Sequence, residues 1–408
     1  MNRNILSPIV ILAAGAALAG FMPAASAQTV SANALNPAIS LVLNGRYGSF
    51  DRDPGTYELP GFQLGPETGP GEQGLALGES ELVISSNVDD LFYANLVAAI
   101  AQEDGEGVIE LEEAWIQTLA LPAGFTVKAG KFFSRVGYLN EKHAHAHDFA
   151  DFPLLYRAFF AGNLKDSGVQ LRWVAPTDLF LEFGVEALRG DGFPAGGAAN
   201  DGQGMTTAFV KLGGDVGVSN TWQVGASAVR AEAEGRTSEA YDAPDGTPQP
   251  EFAYSGDSDL VGLDFVWKWA PLGNYKQRNF TFVAEWMRRE EDGAIDTDFG
   301  AGPETGAYSG DQSGWYAQGV WQFMPRWRLG LRVDALAADN TVTGLSAPLV
   351  LDRDTVDPKR TSVMLDFSNT EFSRLRLQLN ADDSYPAGDM QLMLQYIVSM
   401  GPHRAHQF

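Results

Sequence analysis

From about residue 38 onward, apolar and polar residues alternate in stretches roughly ten residues long, the period of a strand with one greasy and one wet face. Val169, Leu171 and Trp173 fall on one face, Gln170 and Arg172 on the other. After a Pro176-Thr177-Asp178 turn, Leu179, Leu181, Phe183 and Val185 oppose Glu182 and Glu186. The pattern returns in Val261/Leu263/Phe265/Trp267 against Asp264 and Lys268, and in Phe280/Phe282/Ala284/Trp286 against Thr281 and Glu285. Trp327/Leu329/Leu331/Val333 alternate with Arg328, Arg332 and Asp334, and Leu375/Leu377/Leu379 with Arg374, Arg376 and Gln378. Leu392/Leu394/Tyr396/Val398 against Gln391 and Gln395 end the series.

The gaps between these stretches alternate in length. Short turns near 88–90, 121–124, 176–178, 325–326 and 369–371 interleave with long loops near 51–74, 136–166, 190–204, 234–257, 292–312 and 339–358. Aromatic residues gather at the ends of the stretches: Trp222, Trp267, Trp269, Phe323 and Trp327 beside the short turns, Trp286 and Trp315 beside the long loops. Two aromatic belts and one-sided loops predict an all-β fold, a transmembrane antiparallel up-and-down β-barrel of about sixteen strands. A soluble β-sandwich would also alternate but gives no reason for either feature. An even strand count puts both termini on the short-turn side. Glu110, Glu112 and Glu113 break the parity of one strand and mark a bulge or a boundary.

Residues 1–27 have the layout of an export signal: Arg3, an apolar run from Ile9 to Leu18, and Ala25-Ser26-Ala27 as a small-residue cleavage site. The barrel then occupies 28–408. No later run approaches the ~20 continuous apolar residues of a spanning helix. Cys is absent, so closure of the sheet rather than disulfides must supply stability. A net charge of −24 argues against nucleic acid as a partner. Acidic outer loops would draw cations and repel anions. Phe408 resembles the terminal aromatic by which outer-membrane proteins engage the barrel assembly machinery; outer-membrane lipid would be the other contact, and a homotrimer is the assembly common for channels of this size.

Two groups of residues carry candidate chemistry. In His143-Ala144-His145-Ala146-His147-Asp148, imidazoles and a carboxylate crowd into one long loop, a donor set suited to zinc, copper or nickel. The candidate metal ligands are His143, His145, His147 and Asp148. Two readings stay open: chelation by the loop, or histidines that hydrogen-bond an infolded constriction loop to the barrel wall. The second group points inward by parity: Arg172, Glu182, Glu186, Asp264, Lys268, Glu285, Arg328, Arg332, Asp366, Arg374 and Arg376. Opposed charges there would line a pore and steer solutes, or pair across strands in a partly plugged lumen. No GxSxG, HExxH or P-loop occurs, so no enzyme chemistry is expected.

The run Ala129-Gly130-Lys131-Phe132-Phe133-Ser134-Arg135-Val136-Gly137-Tyr138-Leu139-Asn140 resembles a strand-to-loop stretch of the phosphate-selective porin superfamily. With His143–His147, Asp148-Phe149, Asp151-Phe152-Pro153 and Asp166–Leu171, it is similar to a bacterial outer-membrane family labelled zinc-regulated TonB-dependent receptors. The first predicted strand near residue 38 leaves no room for the plug of such a receptor. The mixed wall charges differ from a phosphate porin's basic ladder. The resemblance implies a porin-like barrel with a link to zinc. The reading is a passive outer-membrane channel for small solutes, metal ions or metal complexes among them. Its rivals are a non-conducting zinc-binding surface protein and an enzyme with a site on the barrel rim.

Overall fold

The computed structural model describes residues 37–402 apart from 66–67, 104–105, 198–201, 239–240, 244–245, 353–356 and 385–387. The expected export signal and Phe408 lie outside the described residues. Among those described, 16 antiparallel strands close into a barrel. They are β1 (Ala38–Phe50), β2 (Gly74–Leu77 and Ser80–Asn87, interrupted at Gly78-Glu79), β3 (Phe92–Glu103), β4 (Glu106–Thr118), β5 (Phe125–Phe133), β6 (Lys165–Val174), β7 (Phe180–Leu188) and β8 (Met205–Val216). The ring continues through β9 (Asn220–Ser238), β10 (Phe252–Trp269), β11 (Asn279–Asp298), β12 (Pro303–Met324), β13 (Trp327–Thr343), β14 (Lys359–Thr370), β15 (Ser373–Asp382) and β16 (Asp389–Met400). Pairing of β1 with β16, from Leu41↔Met400 to Phe50↔Gln391, closes it. Closure leaves no open edge, the condition for a sheet to sit in lipid.

Parity sorts the two faces as the alternation predicts. Outward Leu263 is 56% exposed while its neighbour Asp264 is 5% exposed. A continuous outer surface of Leu, Val and Phe would aggregate in water and is the face a barrel turns to lipid. Trp222 stands opposite Trp267 near the short turns, whereas Trp286 stands opposite Trp315 and Leu263, inside the apolar band rather than at its long-loop edge.

Two expectations need correction. The segments 234–257 and 292–312 are mostly strand: β9 to β13 run 17 to 22 residues, and β11 and β12 are joined by a tight turn at 299–302. Beyond the lipid band the ladder continues with charges outward, Asp259 opposite Glu290 and Glu290 opposite Asp311. Backbone pairing needs no lipid, so the strands persist where the apolar signal stops. The second correction concerns the Gly/Pro-rich 51–74 segment, which folds inward rather than out. Leu59 and Phe62 are buried, and the Phe62 ring lies 5.9 Å from Phe159 inside the barrel.

The parity break at Glu112 is a bulge. Val97 pairs with Glu113 and Ala98 with Leu111, leaving Glu112 extra. An extra residue re-aims its side chain, so Glu112 and Glu113 both turn into the lumen and both are buried.

Candidate functional site

The segment between β5 and β6 folds into the barrel and fills its middle. At its centre is the short helix α1 (Leu154–Phe160), apolar nearly all round and buried at every residue. Leu154, Leu155, Phe159 and Phe160 pack with Leu260, Met287, Tyr316 and Leu336 of β10 to β13, giving the lumen a core of its own.

Most of the predicted inward charges hold this segment in place. Glu285 accepts hydrogen bonds from the Tyr138 N–H (3.0 Å), the Leu139 N–H (3.1 Å), the Tyr156 hydroxyl (3.1 Å) and the Tyr316 hydroxyl (2.5 Å). Gly137 makes that approach feasible: it takes φ +67°, and a Cβ there would stand 2.3 Å from Glu285 Oε2. Arg328 bridges Asp148 (2.7 Å) and Asp366 (2.5 Å), and Arg376 Nη2 also stands 3.5 Å from Asp366. Arg374 donates to the His145 carbonyl at 2.5 Å and Arg376 to the His147 carbonyl at 2.8 Å. Glu186 accepts from Ser134 Oγ and the Arg135 N–H, and Glu182 from Arg135 Nε.

The tightest point of this latch is Asp151, absent from the sequence-derived candidates. Its carboxylate takes Arg332 (2.6 Å), Arg360 (2.8 Å), Arg157 (3.2 Å), Gln378 (2.7 Å) and Asn380 (3.2 Å). Burial alone would raise its pKa; Arg360, Arg332 and Arg157 outweigh that and hold it well below the usual carboxylate range. Asp264 faces the lumen opposite Gly225, and Lys268 lies toward the short turns. Arg172 borders an open cavity, 3.6 Å from Glu182.

The four expected metal ligands are not brought together. His147 Nε2 lies 3.0 Å from the Lys142 carbonyl, its ring edge-on to Phe152, and burial pushes its pKa down to about 3. Asp148 pairs with Arg328. His143 and His145 turn the other way, toward the wall formed by β2 and β4. His143 Nδ1 is 3.2 Å from Glu112 Oε2 and 3.3 Å from Glu81 Oε2; its Nε2 is 3.2 Å from Glu113 Oε2. His145 Nδ1 meets Glu81 Oε1 at 2.5 Å. Burial would lower the His143 pKa, but Glu81, Glu112 and Glu113 outweigh it and hold it well above the ordinary imidazole value. Sequence reasoning missed Glu81 and left the glutamate pair as a parity break; that break was the available signal.

Free volume lies along this wall. A cavity of about 540 Å³ opens toward the short turns, bordered by Ser85, Asn95, Glu113, His143 and Arg172. A second, of about 160 Å³, lies beyond Glu112 and Ala144, and shares Ala161, Asn163 and Lys165 with a third of about 590 Å³ that reaches Asp191 and Thr237 on the long-loop side. Glu112-Glu113 on the wall and His143–His145 on the loop stand between the first two, as a neck that their mutual contacts hold narrow.

No protein-family model matches the chain. Among solved structures it is similar to a loop-deleted form of OmpT, an outer membrane protein of Vibrio cholerae, at 11% identity and TM-score 0.53 over 90% of this chain and 100% of that one. The trimer form of the same protein gives 0.51, at 11% identity over 90% and 99%. The outer membrane channel DcaP of Acinetobacter baumannii is similar at 12% identity and TM-score 0.52, over 89% of this chain and 97% of that one. The fold is therefore that of the porin-like barrels of the bacterial outer membrane. An uncharacterised protein of Aquifex aeolicus (strain VF5) is 32% identical over 356 residues, 83% of this chain and 71% of that protein. At that identity and coverage, the chain belongs to the same family as the Aquifex aeolicus protein.

Proposed function

We propose that the protein is a porin-like channel through which small hydrophilic solutes, cations foremost, pass the outer membrane down their gradients. The observation that carries this reading is the row of cavities along the β2–β6 wall, with a cluster of carboxylates and imidazoles between the first and the second. The middle of the lumen is packed solid by α1, so flux must follow the wall. There Glu112 and Glu113 face the path, and a narrow, low-dielectric channel focuses their field on passing ions. Passage needs no covalent step. The trimer form of the Vibrio cholerae protein supports assembly in threes.

In planar bilayers the purified protein should give stable conductance steps, smaller than those of a barrel with an open lumen. In a potassium chloride gradient the reversal potential should have the sign of cation preference, and Glu112→Gln should reduce that preference. Silence in the bilayer from well-folded protein would favour a non-conducting surface protein instead, as the packed centre of the lumen would then suggest.

A further inference from the structure

We propose that Glu81, Glu112 and His143 bind one divalent metal ion at the neck of the lumen, a reading that rests on the proposed passage and names the solute class the neck retains. Among the described residues these side chains bring ligand atoms together so that all lie within 4.8 Å of one another. His143 Nδ1 stands 3.3 Å from a Glu81 oxygen and 3.2 Å from a Glu112 oxygen. Donors around a single zinc-sized ion, each bonded at ~2.0–2.2 Å, are spaced by about 3.3 Å.

The remaining atom of each ligand has a neighbour that orients it. The far nitrogen of His143 faces Glu113 at 3.2 Å. Glu113 is itself fixed by the Trp115 indole N–H (3.1 Å) and the Phe133 N–H (3.3 Å). A carboxylate on the distal ring nitrogen sets the orientation and basicity of metal-bound imidazoles. The second oxygen of Glu81 meets His145 at 2.5 Å, and that of Glu112 lies 4.0 Å from Lys165 Nζ.

A further observation lies on the cavity that Glu112 borders. Asn44, 4% exposed, borders the cavity just beyond the neck together with Glu79 and Glu112, and its Oδ1 has no hydrogen-bond partner. Buried amide oxygens are nearly always satisfied. An orphaned one beside converging carboxylates offers a neutral oxygen to an ion or its hydration shell. The mixed nitrogen and oxygen donors suit zinc or a similar first-row ion better than magnesium or calcium, which take oxygen alone.

Calorimetric titration of zinc chloride into the full-length protein in detergent tests the site, with heat-modifiable gel mobility used to confirm that each variant is folded. Wild type should bind one zinc per chain. The isosteric Glu112→Gln and the His143→Ala variants should bind at least tenfold more weakly, and His147→Ala as wild type. Equal affinity in wild type, Glu112→Gln and His143→Ala, no zinc heat in wild type, or a loss as large in His147→Ala would overturn the proposal. Because binding is read without current, a conducting protein that ignores zinc defeats the metal site alone. A silent protein that binds zinc through these residues defeats the channel and supports the site.

Discussion

Replacing Asp151 by alanine will free the infolded segment and raise bilayer conductance several-fold, with noisy transitions replacing clean steps. Three guanidiniums and two amides converge on this buried carboxylate. Removing it leaves Arg332 and Arg360 to share Asp334 and takes from Arg157 its paired carboxylate, in a buried interior. Breaking a buried ion pair from one side costs about 3–5 kcal/mol, enough to shift a docked segment by two or more orders of magnitude. The barrel wall should survive, because its ladders do not pass through Asp151. Protease sensitivity confined to 136–164, with unchanged heat-modifiability, would show release without unfolding. The same carboxylate sets the pH response. Its folded pKa is depressed, so its stabilisation is fully present above the ordinary aspartate value of about 3.9 and fades only as pH falls toward the folded value. Wild-type conductance steps should therefore keep their size from pH 7 to pH 4.5, whereas a latch made of unpaired carboxylates would loosen there.

Leu263→Arg should abolish stable insertion, and Asp264→Asn, one residue along, should not. Leu263 sits mid-band on the outer face, between the Trp267 and Asp259 levels of β10, and the alternation leaves it 56% exposed to lipid. An arginine at the midplane of an outer-membrane barrel costs about 2–4 kcal/mol. Asp264 faces a lumen already rich in polar groups and needs no such transfer. Folding into liposomes, followed by the mobility shift on heating, measures both. Equal insertion of the two variants would mean that the face assigned to lipid is not in lipid.

How much of this was legible depended on distance along the chain. The wall was, because period-2 alternation is local and puts Arg328, Arg332, Arg374 and Arg376 inward without reference to any other strand. Their task was not. Arg374 reaches the His145 carbonyl 229 residues away, and nothing local tells a lysine or arginine facing water from one holding a buried loop. The histidine cluster was visible as composition, but its expected metal geometry assumed that His143, His145 and His147 share a face. The backbone instead forms a 3-10 turn over Ala144–Ala146, which splits His147 from the other two. The wall half of the neck lay in a parity break that marks a bulge or a boundary in the sequence but names no task for its residues. Glu112-Glu113 broke parity because the strand bulges there, and the bulge is what gives two consecutive acids to the lumen. The outer strands were misjudged for a related reason: a ladder that leaves lipid for water loses its apolar signature while keeping its hydrogen bonds.

The central claim is that solutes pass along the β2–β6 wall and not through the packed side of the lumen. The chain has no cysteine, so single cysteines can be placed without background and treated with a charged methanethiosulfonate reagent during bilayer recording. Ser85→Cys borders the open cavity below the neck, and its modification should cut the conductance by half or more. Leu336→Cys lies in the core against α1 on the opposite wall and should leave it unchanged. Block through Leu336→Cys with none through Ser85→Cys would contradict the account.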